Sequence, residues 1–108
     1  TDAKNLYNYL KKLKLPKYGI WSMTKNKEPD LFIKELKNSF RKIFTVPIEN
    51  ENSSVTAKEL NKIAINNKIN SEECRNVKEA LTKISNNEKK IIVCFGSLYN
   101  CGNILNKN

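Results

Sequence analysis

Six residues near the C-terminus, Lys90-Ile91-Ile92-Val93-Cys94-Phe95, constrain the fold more than any others. Behind the lysine, five apolar residues follow one another without the alternation a strand shows when one of its faces meets water. Such a run needs cover on both faces, the situation of an interior strand in a mainly parallel sheet layered between helices. The rest of the chain supplies that cover. Ala3, Leu6, Tyr7, Leu10 and Leu13 recur at helical spacing, and Leu15-Pro16 ends the pattern. Residues 18–23 (YGIWSM) form an apolar run of strand length. Pro29 suits a first helical turn, and Phe32, Ile33, Leu36 and Phe40 continue from it at helical spacing. Residues 42–46 (KIFTV) are β-branched and aromatic, which fits a second strand.

After a polar, turn-rich stretch at 47–54, Thr56 and Glu59 form a capping box, with Val55 placed to staple onto Leu60. Asn76-Val77-Lys78-Glu79 opens a further helix in the same way, with Val77, Ala80, Leu81 and Ile84 as its apolar stripe. Residues 71–75 between these helices fit a short edge strand. Gly96-Ser97 then turns the chain into a last short helix carrying Leu98, Cys101 and Leu105. The order of helices and strands predicts an α/β fold with an open, mostly parallel sheet, right-handed crossovers and helices on both faces. At 108 residues it is a single domain, 1–108.

Composition narrows the function classes. The formal net charge is +9, but lysine outnumbers arginine 18 to 2, beside 17 asparagines and 11 isoleucines. An AT-rich coding sequence yields that combination without selection for a binding face, and arginine, the residue suited to bidentate phosphate and guanine contacts, is nearly absent. A solvated lysine-rich surface therefore outweighs a nucleic-acid face. No apolar run approaches the roughly 20 residues of a membrane span. Three cysteines, Cys74, Cys94 and Cys101, cannot all pair within one chain and match no metal or redox spacing; Cys94 reads as a small hydrophobe in its strand, and a reducing cytoplasm is the simplest setting. Histidine is absent, which removes the commonest general base and metal ligand. There is no GxxxxGK[ST] phosphate loop, no GxGxxG fingerprint and no acidic metal cluster, so neither a catalytic residue nor a metal site is assigned.

Two segments could carry chemistry. Ligands of open α/β sheets bind beyond the carboxyl ends of the strands. There the sequence places Thr24-Lys25-Asn26-Lys27-Glu28 after the first strand and Gly96-Ser97-Leu98-Tyr99 after the last. A serine hydroxyl, first-turn N–H groups and a nearby lysine can together hold a carboxylate. Each feature also has a plainer use: Ser97 as a helix N-cap, Gly96 as a tight turn, Lys25 and Lys27 as solvated surface, Trp21 and Phe95 as core.

Residues 94–102 (CFGSLYNCG) resemble the C-terminal signature of the folylpolyglutamate synthase/dihydrofolate synthase family of the Mur ligase superfamily, in which an apolar strand enters Gly-Ser-Leu-Tyr with a glycine three residues on, here Gly102. Ser22-Met23-Thr24-Lys25-Asn26-Lys27-Glu28 resembles that family's glycine-methionine segment leading to Asp-Lys-Asp. Residues 32–36 and 41–46, and Asn76 to Leu81, match further segments in order, so the resemblance covers nearly the whole chain. It departs at Asn26 and Glu28, which stand where the triplet has aspartates, and at residues 47–54, which lack the usual Pro-x-x-x-Arg-Ala pattern.

The resemblance implies a Rossmann-like domain of the Mur ligase C-terminal type, belonging to an ATP-dependent amide ligase. In such an enzyme ATP phosphorylates a folate or pteroate carboxylate, and the amine of L-glutamate attacks the acyl phosphate. ATP and Mg2+ would be held mainly outside this chain, in an N-terminal ATP-binding domain that is its implied partner. Ser97 and Lys27 would be glutamate-side residues, with Tyr99 shaping the pocket. The family's histidine-bearing segment would fall just before Thr1, so that two strands either pair directly, with the helix at Ala3 to Leu13 covering the space, or leave an open edge through which a dimer can form. By itself the chain would be inactive. Whether the substrate is dihydropteroate or folate is not written in these residues. A free-standing small-ligand-binding α/β module and a lysine-rich nucleic-acid-binding protein stay open as alternatives.

Overall fold

A computed structural model describes residues 2–97 and 103–105. The elements run α1 (Asp2–Leu10), β1 (Lys17–Ser22), a 3-10 turn at Lys25–Lys27, α2 (Pro29–Lys34), β2 (Lys42–Thr45), α3 (Ala57–Asn66), β3 (Ser71–Glu73), α4 (Val77–Ile84), β4 (Ile91–Gly96) and β5 (Asn103–Leu105). They build one sheet of order β3-β2-β1-β4-β5. The first four strands are mutually parallel, and β5 lies antiparallel along β4. This is the open, mostly parallel α/β sheet the sequence predicts.

The two-sided cover demanded by β4 is met by two separate apolar clusters. Ile91, Val93 and Phe95 join Trp21, Ile43 and residues of α1, α2 and α3 on one face. Ile92 and Cys94 join Ile20, Phe44 and the Ala80–Ile84 stripe of α4 on the other. Adjacent residues thus serve opposite layers, as the two-residue period of a strand requires. Gly19 makes room for this packing. A Cβ there would lie 2.6 Å from the Phe95 ring and 3.2 Å from Phe40, and those two rings stack at 5.1 Å.

The connections explain where a site can form. From β1 the chain steps outward through α2 to β2 and through α3 to β3, with both helices on one face. It then returns under the opposite face through α4 to β4, on the other side of β1. The strand order therefore reverses between β1 and β4. These two pair directly over six residues, from Lys17↔Ile91 to Ser22↔Gly96. Direct pairing is one of the two arrangements the sequence reading left open for these strands.

Two expectations are corrected. The helix beginning at Pro29 ends at Lys34 rather than running on to Phe40. Its last turn tightens through i→i−3 bonds, Glu35 to Phe32 and Leu36 to Ile33, and Asn38-Ser39 beyond it are poor helix formers. Leu36 nevertheless stays buried. The predicted final helix does not include Leu105, which lies in β5; pairing with β4 satisfies that strand's outer edge, which local helical spacing could not foresee. Leu98 and Cys101 lie outside the described residues. Among the described cysteines Cys74 is free, whereas Cys94 is disulfide-bonded, so Cys94 is not the free thiol its strand setting suggested. No described helix is long and apolar enough to cross a membrane.

Candidate functional site

The reversal between β1 and β4 is where ligands of open α/β sheets bind, and both candidate segments leave the sheet there. The close approach depends on Gly96. Its φ is +94°, and a Cβ at this position would stand 1.9 Å from the Ser22 carbonyl oxygen and 2.9 Å from Cδ1 of Trp21. Only glycine lets the two strand ends meet so closely. The next residue, Ser97, is buried, and its N–H donates to the Ser22 carbonyl at 2.9 Å.

The Ser97 hydroxyl reaches the other segment. Its oxygen accepts the backbone N–H of Thr24 at 3.2 Å, across 73 residues of sequence. A hydroxyl that accepts in this way still has its own proton to donate. Thr24 then holds the turn that follows. Its Oγ1–H donates to Asn26 Oδ1 at 2.7 Å, and its carbonyl accepts the Lys27 N–H at 3.2 Å. Lys25, Asn26 and Lys27 are exposed. Glu28 sits in the left-handed region at φ 52°, the sharp junction between this turn and α2.

The structure thus brings Ser97 against the start of the segment that carries Lys27, at one edge of the sheet. Tyr99 lies outside the described residues. The sequence reading missed Thr24 as the residue that joins the two segments. It also missed the loop at 47–54 as their support. Lys25 N–H donates to the Ser53 carbonyl and Val55 N–H to the Met23 carbonyl, both at 2.9 Å. Within that loop Ser54 Oγ accepts the Ile48 N–H and donates to the Val55 carbonyl. A polar residue directly after an apolar strand was the available signal for Thr24. None existed for the loop, because its pairing partner is remote in sequence.

Space for a ligand flanks this edge. A cavity of about 370 Å³ is lined by Lys25, Glu28, Pro29, Leu31, Val55 and Ile63, among others. A second, of about 520 Å³, opens beyond β2 and β3 beside Lys58, Cys74, Arg75 and Glu79. Its thiol is not a ready nucleophile, because burial pushes the Cys74 pKa up. Its Glu79 carboxylate is engaged and held below the usual range, first by the Arg75 backbone N–H. Among the described residues no group of three His, Cys, Asp or Glu side chains could hold a metal ion.

No family model and no curated protein sequence matches the chain. Solved structures do. Escherichia coli FolC in complex with ADP superposes with a TM-score of 0.69 at 21% identity, over 85% of this chain and 22% of that one. The bifunctional folylpolyglutamate synthase/dihydrofolate synthase of Yersinia pestis, complexed with AMPPNP and a manganese ion, gives 0.70 at 16% identity, over 87% and 23%. A bifunctional synthase of the same name with Mn, AMPPNP and L-glutamate bound gives 0.68 at 16%, over 85% and 22%. The chain has the fold of a part of the folylpolyglutamate synthases. The family resemblance read from the sequence is therefore met at the level of the fold, and the chain spans less than a quarter of the length of the synthases it matches.

Proposed function

We propose that this chain is the C-terminal domain of an ATP-dependent ligase that adds L-glutamate to a folate or pteroate carboxylate, and that its β1–β4 edge serves the glutamate. The observation that carries this reading is the hydrogen bond from Thr24 N–H to Ser97 Oγ, which joins the two segments singled out by the resemblance. In this reading the Ser97 hydroxyl donates to a glutamate carboxylate, the Lys27 ammonium supplies the opposite charge, and Tyr99 shapes the pocket. A carboxylate held by charge-assisted donors gains roughly twice what a neutral acceptor does.

The described residues offer no donor set for Mg2+ and the sequence has no phosphate loop. ATP and Mg2+ accordingly belong, in this proposal, to an N-terminal ATP-binding domain that is the chain's partner, and no step is assigned to them here. A cytoplasmic location goes with this reading and rests on the resemblance, since Cys94 is not a free thiol. In the complete ligase, Ser97→Ala should weaken glutamate use by about 1–3 kcal/mol. The measurement is kcat/KM for L-glutamate beside a thermal melt. A lowered melting temperature with unchanged kcat/KM would leave Ser97 as a structural bracket only.

A further inference from the structure

Charge along the chain is segregated rather than scattered. Residues 3–27 hold seven of the 20 lysines and arginines and none of the 11 aspartates and glutamates, whereas the other 83 residues hold 13 bases against 11 acids. An AT-rich coding sequence accounts for abundant lysine but not for its separation from carboxylates. Four of the seven, Lys4, Lys11, Lys12 and Lys14, are exposed on α1 and on the turn that follows it. Among the described residues no carboxylate lies within ion-pair distance of any of the four. The inward stripe of α1 is Ala3, Leu6 and Leu10, continued by Leu13, and it packs into the core cluster that holds Trp21 and Phe95. Lys11 N–H donates to the Tyr7 carbonyl at 3.0 Å, so the helical turn carries on through Lys11. Lys4, Tyr7, Asn8 and Lys11 therefore stand in one outward row at i, i+3, i+4 and i+7. Lys11 Nζ lies 5.5 Å from the centre of the Tyr7 ring. Tyr9 and Lys12, three residues apart, flank the row, and Tyr7 and Tyr9 are 37% and 50% exposed.

Two kinds of group thus share one helix face: ammonium ions without a neighbouring carboxylate, and phenol rings open to water. An anionic membrane would answer the charges, but the apolar stripe of α1 is buried in the core and leaves no face to enter a bilayer. An acidic protein surface answers the ammonium ions and not the rings. A nucleic-acid duplex keeps the faces of its bases inside its own stack. A single strand answers both groups, with phosphates for the lysines and unstacked bases for the rings. The scarcity of arginine bears on base reading, which uses bidentate forks, and not on phosphate contact, for which lysine serves. We infer that the outer face of α1, carrying Lys4, Tyr7, Tyr9, Lys11 and Lys12, binds single-stranded RNA or DNA without sequence preference. This surface is separate from the β1–β4 edge, and the inference does not depend on the glutamate reading.

Fluorescence anisotropy of the purified chain with a labelled oligothymidylate of about 12 nucleotides tests this. The expected dissociation constant is about 1–100 μM at physiological salt. Three or four phosphate contacts should give a log–log salt slope of about −2 to −3. Changing Lys4, Lys11 and Lys12 together to Gln should flatten that slope by about 2. The same three changes at Lys62, Lys78 and Lys89, which are exposed on other parts of the chain, should leave it as it is. Tyr7→Ala with Tyr9→Ala should weaken binding of the strand about fivefold or more, and should not weaken binding of an abasic strand of the same length. All eight side chains are exposed, so these variants keep the fold. Equal losses from the two lysine sets would overturn the inference, because net charge alone would then be binding. Tyrosine variants that bind like the parent chain would overturn it too, as would poly-L-glutamate that displaces the strand charge for charge. Absence of binding at about 100 μM chain would leave no nucleic-acid face to explain.

Discussion

Individual residues set the geometry of the β1–β4 edge, and Gly96 sets most of it. Substitution by alanine meets two obstacles at once: a φ of +94° and a Cβ 1.9 Å from the Ser22 oxygen. Gly96→Ala should cost about 2–5 kcal/mol, the sum of a strained backbone and an overpacked contact. Urea unfolding checks this, and a loss below about 1 kcal/mol would mean that the strand ends can part easily. Charge acts elsewhere, at Glu72. Its carboxylate is held below the ordinary range, first by the hydrogen bond from Lys42 at 2.8 Å and then by Lys83. A depressed folded pKa gives stability that is present above the unfolded value, about 4.3, and is lost as pH falls through the folded one. Glu72→Gln should therefore lower the melting temperature at pH 7, and the gap to the parent chain should close as pH falls below the ordinary carboxylate range. A gap independent of pH would point to lost packing instead. Because the pair is partly exposed, added salt should shrink the gap at pH 7.

Elements were legible wherever local chemistry decides them. The helix starts are the clearest case. Thr56 Oγ1 accepts the Glu59 N–H at 3.1 Å, and Asn76 Oδ1 accepts the Glu79 N–H at 2.8 Å, each at the position its capping signal gave. Val55 and Leu60 are both buried in one cluster, as a staple requires. Thr56→Ala should cost about 1 kcal/mol, read by thermal unfolding, with α3 fraying first by hydrogen exchange. The same local logic fails where distant chain decides. The sequence placed residues 71–75 in an edge strand, and β3 occupies Ser71–Glu73 at that edge. It could not place β5, because the antiparallel partner of residues 103–105 is β4 and their own spacing reads as helical. It could not foresee the 3-10 turn at Lys25–Lys27 either, whose hydrogen bonds depend on Thr24 and on Ser53, 28 residues beyond Lys25. The site follows this pattern: Gly96, Ser97 and Lys27 could be nominated from the sequence, whereas the contact through Thr24 that unites them needed the register of β1 against β4.

At the scale of the whole molecule, the proposed role asks the sheet to supply a binding edge. Its parallel strands deliver their carboxyl ends to one side, and the groups gathered there are hydroxyls, amides and ammonium ions, with the carboxylates of Glu28, Asp30 and Glu59 beside them. In the proposed function the hydroxyls, amides and ammonium ions orient and hold an anion. They do not offer what a transferred phosphoryl group requires, which is a cradle for its oxygens, a metal bridging the phosphates and a positioned base or nucleophile. The sequence contains no phosphate loop and no histidine. The ligases it resembles in fold are nearly four times as long, since 85–87% of this chain matches 22–23% of theirs. The 108-residue chain by itself should therefore neither hydrolyse ATP nor add glutamate to folate. Incubation of the purified chain with ATP, Mg2+, L-glutamate and dihydropteroate or folate tests this through phosphate release and product mass. Glutamylated product at a rate proportional to chain concentration would overturn the division of labour proposed here, because the edge between β1 and β4 would then have to contain the chemistry and not only one of its substrates.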